Sequence, residues 1–385
     1  MSGIYFDNST TTRPSEKAIS KMLPFYSQRW GSPIAPHQMG QELFPPMEES
    51  LRAIYALLGA KESDNFVFTA SGAEAVNHAI FSTYLDVTRH TGKNQFVTSR
   101  IDEAPSLMSL ARLEQLGCVV KMAEADSTGK VTAAAIADVI TPRTAMVSLS
   151  WANGLTGVIH PIAEIAALCR DRGIVLHLDA SHVLGKLFFR LDEIAPHLVT
   201  FSGELLHAPQ GTGGLYMQEG QRLSSFIVGG LEQAGRRAGS WNIPGLVALG
   251  EAAREAQDAC DLMCTEVARL RNQLEAGILR EYPEAVVFFK EQERLPHCTA
   301  IGFPGISNEA LMFLLNRRKV FVSMGGGSFQ QIALILAASG VSKELANTAL
   351  SFSLSRATTD DEIDRAVAII GEVARSLRKC AGQIV

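Results

Sequence analysis

Two stretches hold the side chains best suited to chemistry. The first, Ile174-Val-Leu-His177-Leu-Asp179-Ala-Ser-His182-Val-Leu-Gly-Lys186, is an apolar strand run that ends in a carboxylate. The second, Val199-Thr-Phe-Ser202-Gly-Glu204-Leu205-Leu-His207-Ala-Pro209-Gln-Gly211, is a strand running into a Gly/Pro loop. In a doubly wound sheet the carboxyl ends of parallel strands face the ligand crevice, so Asp179 is delivered to a site rather than to the core. His182 and His207 offer acid–base chemistry there. A metal reading sits beside it, because His177 and Asp179 share a strand face and His182 follows. Strand histidines at this spacing are more often packed or hydrogen-bonded. A third stretch, the strand at 65–69 followed by Ala70-Ser71-Gly72-Ala73-Glu74, sets small residues at a strand-to-helix turn. Helix-terminal amides there can approach a phosphate, although an ordinary capped helix start reads the same way.

Positioning these residues takes a sheet. Strand-type runs at 65–69, 95–99, 118–122, 144–150, 174–179, 199–202 and 211–217 alternate with helical spacing. This predicts an α/β fold whose mostly parallel seven-stranded sheet carries helices on both faces. Residues 242–281 have the apolar spacing of a long helical connector, and the remainder alternates strands and helices again, ending in a helix from Asp360. A chain of 385 residues exceeds the size at which one core stops growing. The expected division is an N-terminal segment, 1–13, packing with the small domain, a large domain over 14–260, and a small C-terminal α/β domain over 261–385.

Composition excludes several classes. With 46% hydrophobic and 19% charged residues the chain reads as soluble and globular, and a net charge of −5 argues against a nucleic-acid partner. No apolar run approaches the length of a membrane span, and the start Met-Ser-Gly-Ile-Tyr-Phe-Asp lacks a basic segment of the signal-peptide kind. Six scattered cysteines, Cys118, Cys169, Cys260, Cys264, Cys298 and Cys380, have neither metal-type nor disulfide-framework spacing, so a reducing cytoplasm is the expected setting.

Further motifs run along the whole chain. They are Tyr5-Phe-Asp7-Asn8-Ser9-Thr10-Thr11, Trp30-Gly31-Ser32-Pro33 with His37-x-x-Gly40, and Asn153-Gly154-Leu-Thr-Gly157 before Pro161-Ile162. Then come Val228-Gly-Gly230 with Arg237-Ala-Gly239-Ser240, Val322-Ser323-Met324-Gly325-Gly326-Gly327-Ser328, and Ser353-Leu-Ser-Arg356-Ala-Thr-Thr359. In this order, from Tyr5 to about Asp364, they resemble the NifS/IscS cysteine desulfurases, in the class V aminotransferase group of fold-type I pyridoxal-phosphate (PLP) enzymes. The resemblance implies the PLP-transferase architecture and a homodimer. It also implies a cofactor site in which Gly72, Ala73, Glu74 and Ser202 face the phosphate, Asp179 holds the pyridine nitrogen, and Asn153 meets the ring oxygen. His182 replaces the family's glutamine there, and Ser240 reaches the neighbouring subunit's phosphate.

Four departures sit at the positions that the resemblance makes chemical. Leu205 stands where the family's Schiff-base lysine belongs, and no lysine occurs between Lys186 and Lys290. Ser328 takes the place of the persulfide-forming cysteine, Glu103 that of the ring-stacking histidine, and Ser351 that of the arginine that grips substrate carboxylate. Glu204 also replaces a phosphate-binding histidine. Leucine forms no imine, a serine hydroxyl is a poor nucleophile that cannot carry sulfane sulfur, and no hydroxyl replaces a bidentate guanidinium. The expectation is a homologue without desulfurase activity, its PLP weak or absent. It would act as a pseudoenzyme partner of a desulfurase or of iron–sulfur assembly. The alternative is an enzyme of altered chemistry holding PLP or pyridoxamine phosphate non-covalently.

Overall fold

The computed structural model describes residues 3–326 and 330–381. Twelve strands follow in chain order: β1 (Ile4–Tyr5), β2 (Asn65–Thr69), β3 (Gln95–Ser99), β4 (Val119–Ala123), β5 (Thr144–Ser150), β6 (Val175–Asp179), β7 (Leu198–Ser202), β8 (Gly213–Met217), β9 (Val286–Val287), β10 (Cys298–Gly302), β11 (Val320–Phe321) and β12 (Ala349–Ser353). The main sheet has the order β2-β8-β7-β6-β5-β3-β4. Only β8 runs antiparallel to its neighbours; the pairs β7–β6, β6–β5, β5–β3 and β3–β4 are parallel. This is the α/β architecture with a mostly parallel seven-stranded sheet that the strand spacing predicts. Every residue of β3, β5, β6 and β8 is buried, whereas edge strand β4 alternates towards solvent. Helix cover on both faces buries the inner strands throughout, polar residues such as Thr98, Ser148 and His177 included, and the edge escapes it.

The chain's first residues belong with its last. Strand β1 pairs in parallel with β11, while Ile4 and Phe6 enter a core with Leu274, Ile301, Val320 and Phe352. Burying a side chain such as Phe6 contributes about 2 kcal/mol. The Asn8 amide donates to the Ser353 carbonyl at 2.8 Å, and the Ser9 backbone donates to the Ser353 hydroxyl at 2.8 Å. Thr12 then bonds the Glu204 carbonyl through both its amide, at 3.0 Å, and its hydroxyl, at 2.6 Å. The N-terminal segment thus ties β12 to the loop after β7. Among the described residues no helix is long and apolar enough to cross a membrane.

Packing at the end of β8 leaves no room for a side chain. A Cβ on Gly213 would sit 2.5 Å from the Ser71 carbonyl carbon and 2.9 Å from the Gly72 nitrogen. Both are backbone atoms of the turn that starts the Gly72–Thr83 helix, so neither can rotate away. Gly213→Ala is expected to cost about 3 kcal/mol, read as a lowered urea midpoint at unchanged slope. A loss below about 1 kcal/mol would show that the turn yields.

Candidate functional site

Four consecutive parallel strands of the sheet end at one cavity of about 300 Å³. Ile101 and Glu103 follow β3, Gly154 and Leu155 follow β5, Asp179, Ser181 and His182 end β6, and Ser202, Glu204 and Leu205 end β7. Ser71, Gly72 and Ala73 close one side, Ser9 and Thr10 another, and Gly325, Gly326, Gln330 and Ile335 come from the C-terminal part. The crevice lies where open α/β sheets hold ligands, outside the carboxyl ends of the strands.

The turn after β2 is a capped helix start. Ser71 Oγ accepts from the Glu74 amide at 3.1 Å, and Glu74 Oε2 accepts from the Ala70 amide at 2.8 Å. Such reciprocal capping satisfies amides that a helix leaves open. Glu74 is held further by Arg237, whose Nε lies 2.9 Å from Oε1, so its carboxylate is not on the cavity wall. The Gly72 amide donates to Ser202 Oγ at 3.2 Å, and the Ser202 hydroxyl donates to Glu204 Oε1 at 3.0 Å. The other Glu204 oxygen, Oε2, is buried with no hydrogen-bond partner among the described residues. A carboxylate of the protein therefore stands at the place where helix amides would meet an anion.

On the opposite wall Glu103 does more than open a helix. It is the N-cap of the Ala104–Glu114 helix without a side-chain capping bond; instead its Oε1 accepts from His182 Nε2 at 3.2 Å. His182 Nδ1 is buried and has no hydrogen-bond partner among the described residues, and its ring lies so close to Gly154 that a Cβ there would sit 2.3 Å from Nε2. Asp179 is 8% exposed, and its Oδ1 takes bonds from the Ser181 amide and hydroxyl at 2.9 and 2.6 Å. Burial raises the Asp179 pKa above the usual carboxylate range, with the Ser181 bonds opposing. Beneath them, burial pushes Asp102 up to about 7 against donors from Thr98, Glu103 and Ser150.

Of the residues singled out in the sequence, Gly72, Ala73, Glu103, Asp179, His182, Ser202 and Leu205 come together on the cavity, with Glu204 beside them. Glu74, Asn153, Ser240 and Ser351 do not line it. Asn153 staples its own loop: Nδ2 donates to the Ile101 carbonyl at 3.0 Å, and Oδ1 accepts from the Leu155 and Thr156 amides. Ser351, buried in β12, donates to the Leu155 carbonyl at 2.7 Å. Ser240 is exposed on the surface, and Ser328 lies outside the described residues. His207 donates to the Arg13 carbonyl at 2.8 Å and faces away from the cavity; burial lowers its pKa to about 4. His177 gives one nitrogen to Ser148 at 2.8 Å and the other to Thr200 at 2.9 Å. Among the described residues no group of three or more His, Cys, Asp or Glu is placed to hold a metal ion.

Two groups near the site were given no role at it by the sequence reading. Leu205, 6% exposed, separates the cavity from a small void lined by Lys186, whose ammonium reaches the Ser181 carbonyl at 3.2 Å. Cys298 lies behind the Gly154–Leu155 loop, its Sγ 3.3 Å from the Gly154 carbonyl, and burial pushes its thiol up to about 11. For Lys186 the only signal was a lone lysine among Leu184, Leu187 and Phe188; for Cys298 there was none.

A family model described as aminotransferase class-V matches residues 4–366. The chain belongs to this family. It is 35% identical to a cysteine desulfurase of Gluconacetobacter diazotrophicus, over 98% of this chain and 95% of that one. It is 34% identical to the cysteine desulfurase NifS of Azotobacter vinelandii, over 98% and 94%. A solved NifS-like protein superposes with a TM-score of 0.90 at 27% identity, covering 97% of this chain and all of that one. A cysteine desulfurase of Thermococcus onnurineus shares the fold, with a TM-score of 0.84 at 19% identity.

The class V family uses PLP, and the residues present fit only one end of it. Asp179 is placed for a pyridinium nitrogen at the end of β6. At the phosphate end, the amides of Gly72 and Glu74 are already bonded, the Ala73 amide has no acceptor among the described residues, and Glu204 supplies a like charge. At the aldehyde end, the wall offers Leu205 and no amine. The phosphorylated cofactor does not fit this set.

Proposed function

We propose that this class V family member is a cysteine desulfurase homologue without desulfurase activity. It acts as a homodimeric cytoplasmic pseudoenzyme, linked to sulfur metabolism or iron–sulfur cluster assembly through a partner such as a genuine desulfurase. The observation that carries the reading is Leu205, packed into the cavity wall at the end of β7. Catalytic groups of such a site act as a unit, and losing one removes most of the rate. Exposed apolar side chains support a subunit contact. Tyr26, Trp30 and Ile34 form one stretch, and Phe226, Ile227, Val228 and Leu231 another, a few residues before Ser240. A second reading, an enzyme of altered chemistry with non-covalent PLP or pyridoxamine phosphate, is favoured by Asp179 and His182 on the same cavity.

Cofactor content separates the two. Two carboxylates near a phosphate each cost on the order of 1 kcal/mol in a partly desolvated site, offsetting much of what helix amides contribute. Protein dialysed extensively after exposure to PLP is expected to retain well below one equivalent, measured by absorbance and by phosphate assay. Stoichiometric cofactor surviving dialysis would establish the altered-enzyme reading instead.

A further inference from the structure

We infer that a second cavity, separate from the crevice, binds a small aromatic ring bearing an uncharged carboxamide, its carbonyl oxygen on Trp151 and His160 and its ring against Phe188 and Phe189. The cavity holds about 320 Å³ and shares no lining residue with the crevice. Trp151 and His160 reach it from the hairpin after β5, Phe188 and Phe189 from the loop after β6, and Glu293 from the segment before β10. Nothing in the inference depends on Leu205 or on a cofactor, so it goes beyond the proposed function.

The hairpin sets two N–H donors on one wall. Ala152 and Ile159 pair antiparallel, and the His160 amide donates to the Trp151 carbonyl at 3.1 Å. Residues opposite each other in such a ladder send their side chains to the same face. Trp151 and His160 are each only 5% exposed. His160 Nδ1 accepts from the Val131 amide at 3.2 Å, and burial lowers its pKa to about 4. Near neutrality the ring is therefore uncharged, with its proton on Nε2. Among the described residues neither this N–H nor the Trp151 indole N–H has an acceptor, and neither nitrogen is sealed off from the cavity. A donor left in that state costs free energy, which a ligand oxygen restores. The place for a ring is beside them: the Trp151 and Phe189 rings lie 4.7 Å apart at 47°, Phe188 is 67% exposed, and the volume suits one ring.

The absence of ligand charge follows from the rest of the lining. Among the described residues no lysine or arginine lines the cavity, and its charged groups are the exposed Glu164 and Glu293. Glu164 stands in the first turn of the helix Ile162–Asp171, where it offsets that helix's positive end. An anion would meet two carboxylates and no countercharge. A carboxamide offers the wall donors an oxygen and the glutamates an N–H.

The probes are benzamide and benzoate, rings of one shape that differ in charge. Calorimetric titration of the full chain is expected to show benzamide binding with a Kd of about 1 mM or tighter, and benzoate at least about tenfold weaker. Trp151→Phe keeps an aromatic ring and removes the N–H, so it should weaken benzamide about fivefold. Phe188→Ala removes an exposed wall and should weaken it about threefold. No benzamide binding at about 10 mM overturns the inference. So does benzoate binding as tightly as benzamide, and so does unchanged benzamide affinity in folded Trp151→Phe. Should that variant fail to fold, unchanged affinity in Phe188→Ala, at an exposed position, overturns it instead. Cofactor retention and sulfide release judge the proposed function separately, so either reading can fail alone.

Discussion

Supplied with cysteine, PLP and a reductant, the protein is expected to release sulfide at least about 10⁴-fold more slowly than an ordinary enzyme rate of roughly 1–10 per second. The reaction needs an amine to engage the cofactor and a thiolate to accept sulfur. On this cavity Leu205 stands for the first, and the nearest described thiol, Cys298, lies behind Gly154 and Leu155 with its pKa pushed up to about 11. A thiol so raised is almost wholly protonated near neutrality and a poor nucleophile. Ser328, the residue in the nucleophile's place in the chain, is a serine and cannot hold sulfane sulfur. Leu205→Lys by itself should therefore leave the rate at background. Sulfide production by wild type at an ordinary rate would defeat the proposed function.

The second large effect concerns stability. Lys186→Met is expected to stabilise the fold at pH 7 by on the order of 3 kcal/mol. Lys186 is 7% exposed and among the described residues its ammonium has one acceptor, the Ser181 carbonyl at 3.2 Å. Burial lowers its pKa from 10.5 to about 7. The Cys298 thiol, pushed up to about 11, supplies no countercharge near neutrality. With the folded pKa depressed, the unfolded chain binds the extra proton between about pH 7 and 10.5. Stability from this group is thus complete above the upper value and is lost as pH falls to the lower one. Methionine keeps the length and removes the charge. Denaturant unfolding across that window should show wild type gaining stability with rising pH and the variant nearly flat by comparison. A variant less stable than wild type at pH 7 would mean that the ammonium has partners that offset its burial.

Much of this molecule follows from short-range pattern. The seven strands of the main sheet lie within a residue or two of the strand-type runs, because a strand buried on both faces is dominated by apolar and β-branched residues. Asp179 stands at the end of β6 because the run stops there, and Ser71 caps its helix from three residues away, as local hydrogen bonding dictates. The absence of a lysine at Leu205 needed no coordinates.

Other roles were set by partners far along the chain. Asn153, which its motif implied would face a cofactor, turns to the Ile101 carbonyl because its loop needs those bonds. Glu103 passes over its own helix amides for His182, 79 residues later. Glu204 reaches the helix start through Ser202, and Gly72 lies 130 residues from that serine. Lys186 and Cys298 come to lie behind the cavity wall only when the loops after β5 and β7 close over them. Sequence by itself determined which groups exist and on which strand ends they stand, since periodicity and caps act over a few residues. Which groups meet, and which carboxylate is left without a donor, was decided by packing between segments dozens to hundreds of residues apart, where burial makes each unpaired polar atom costly.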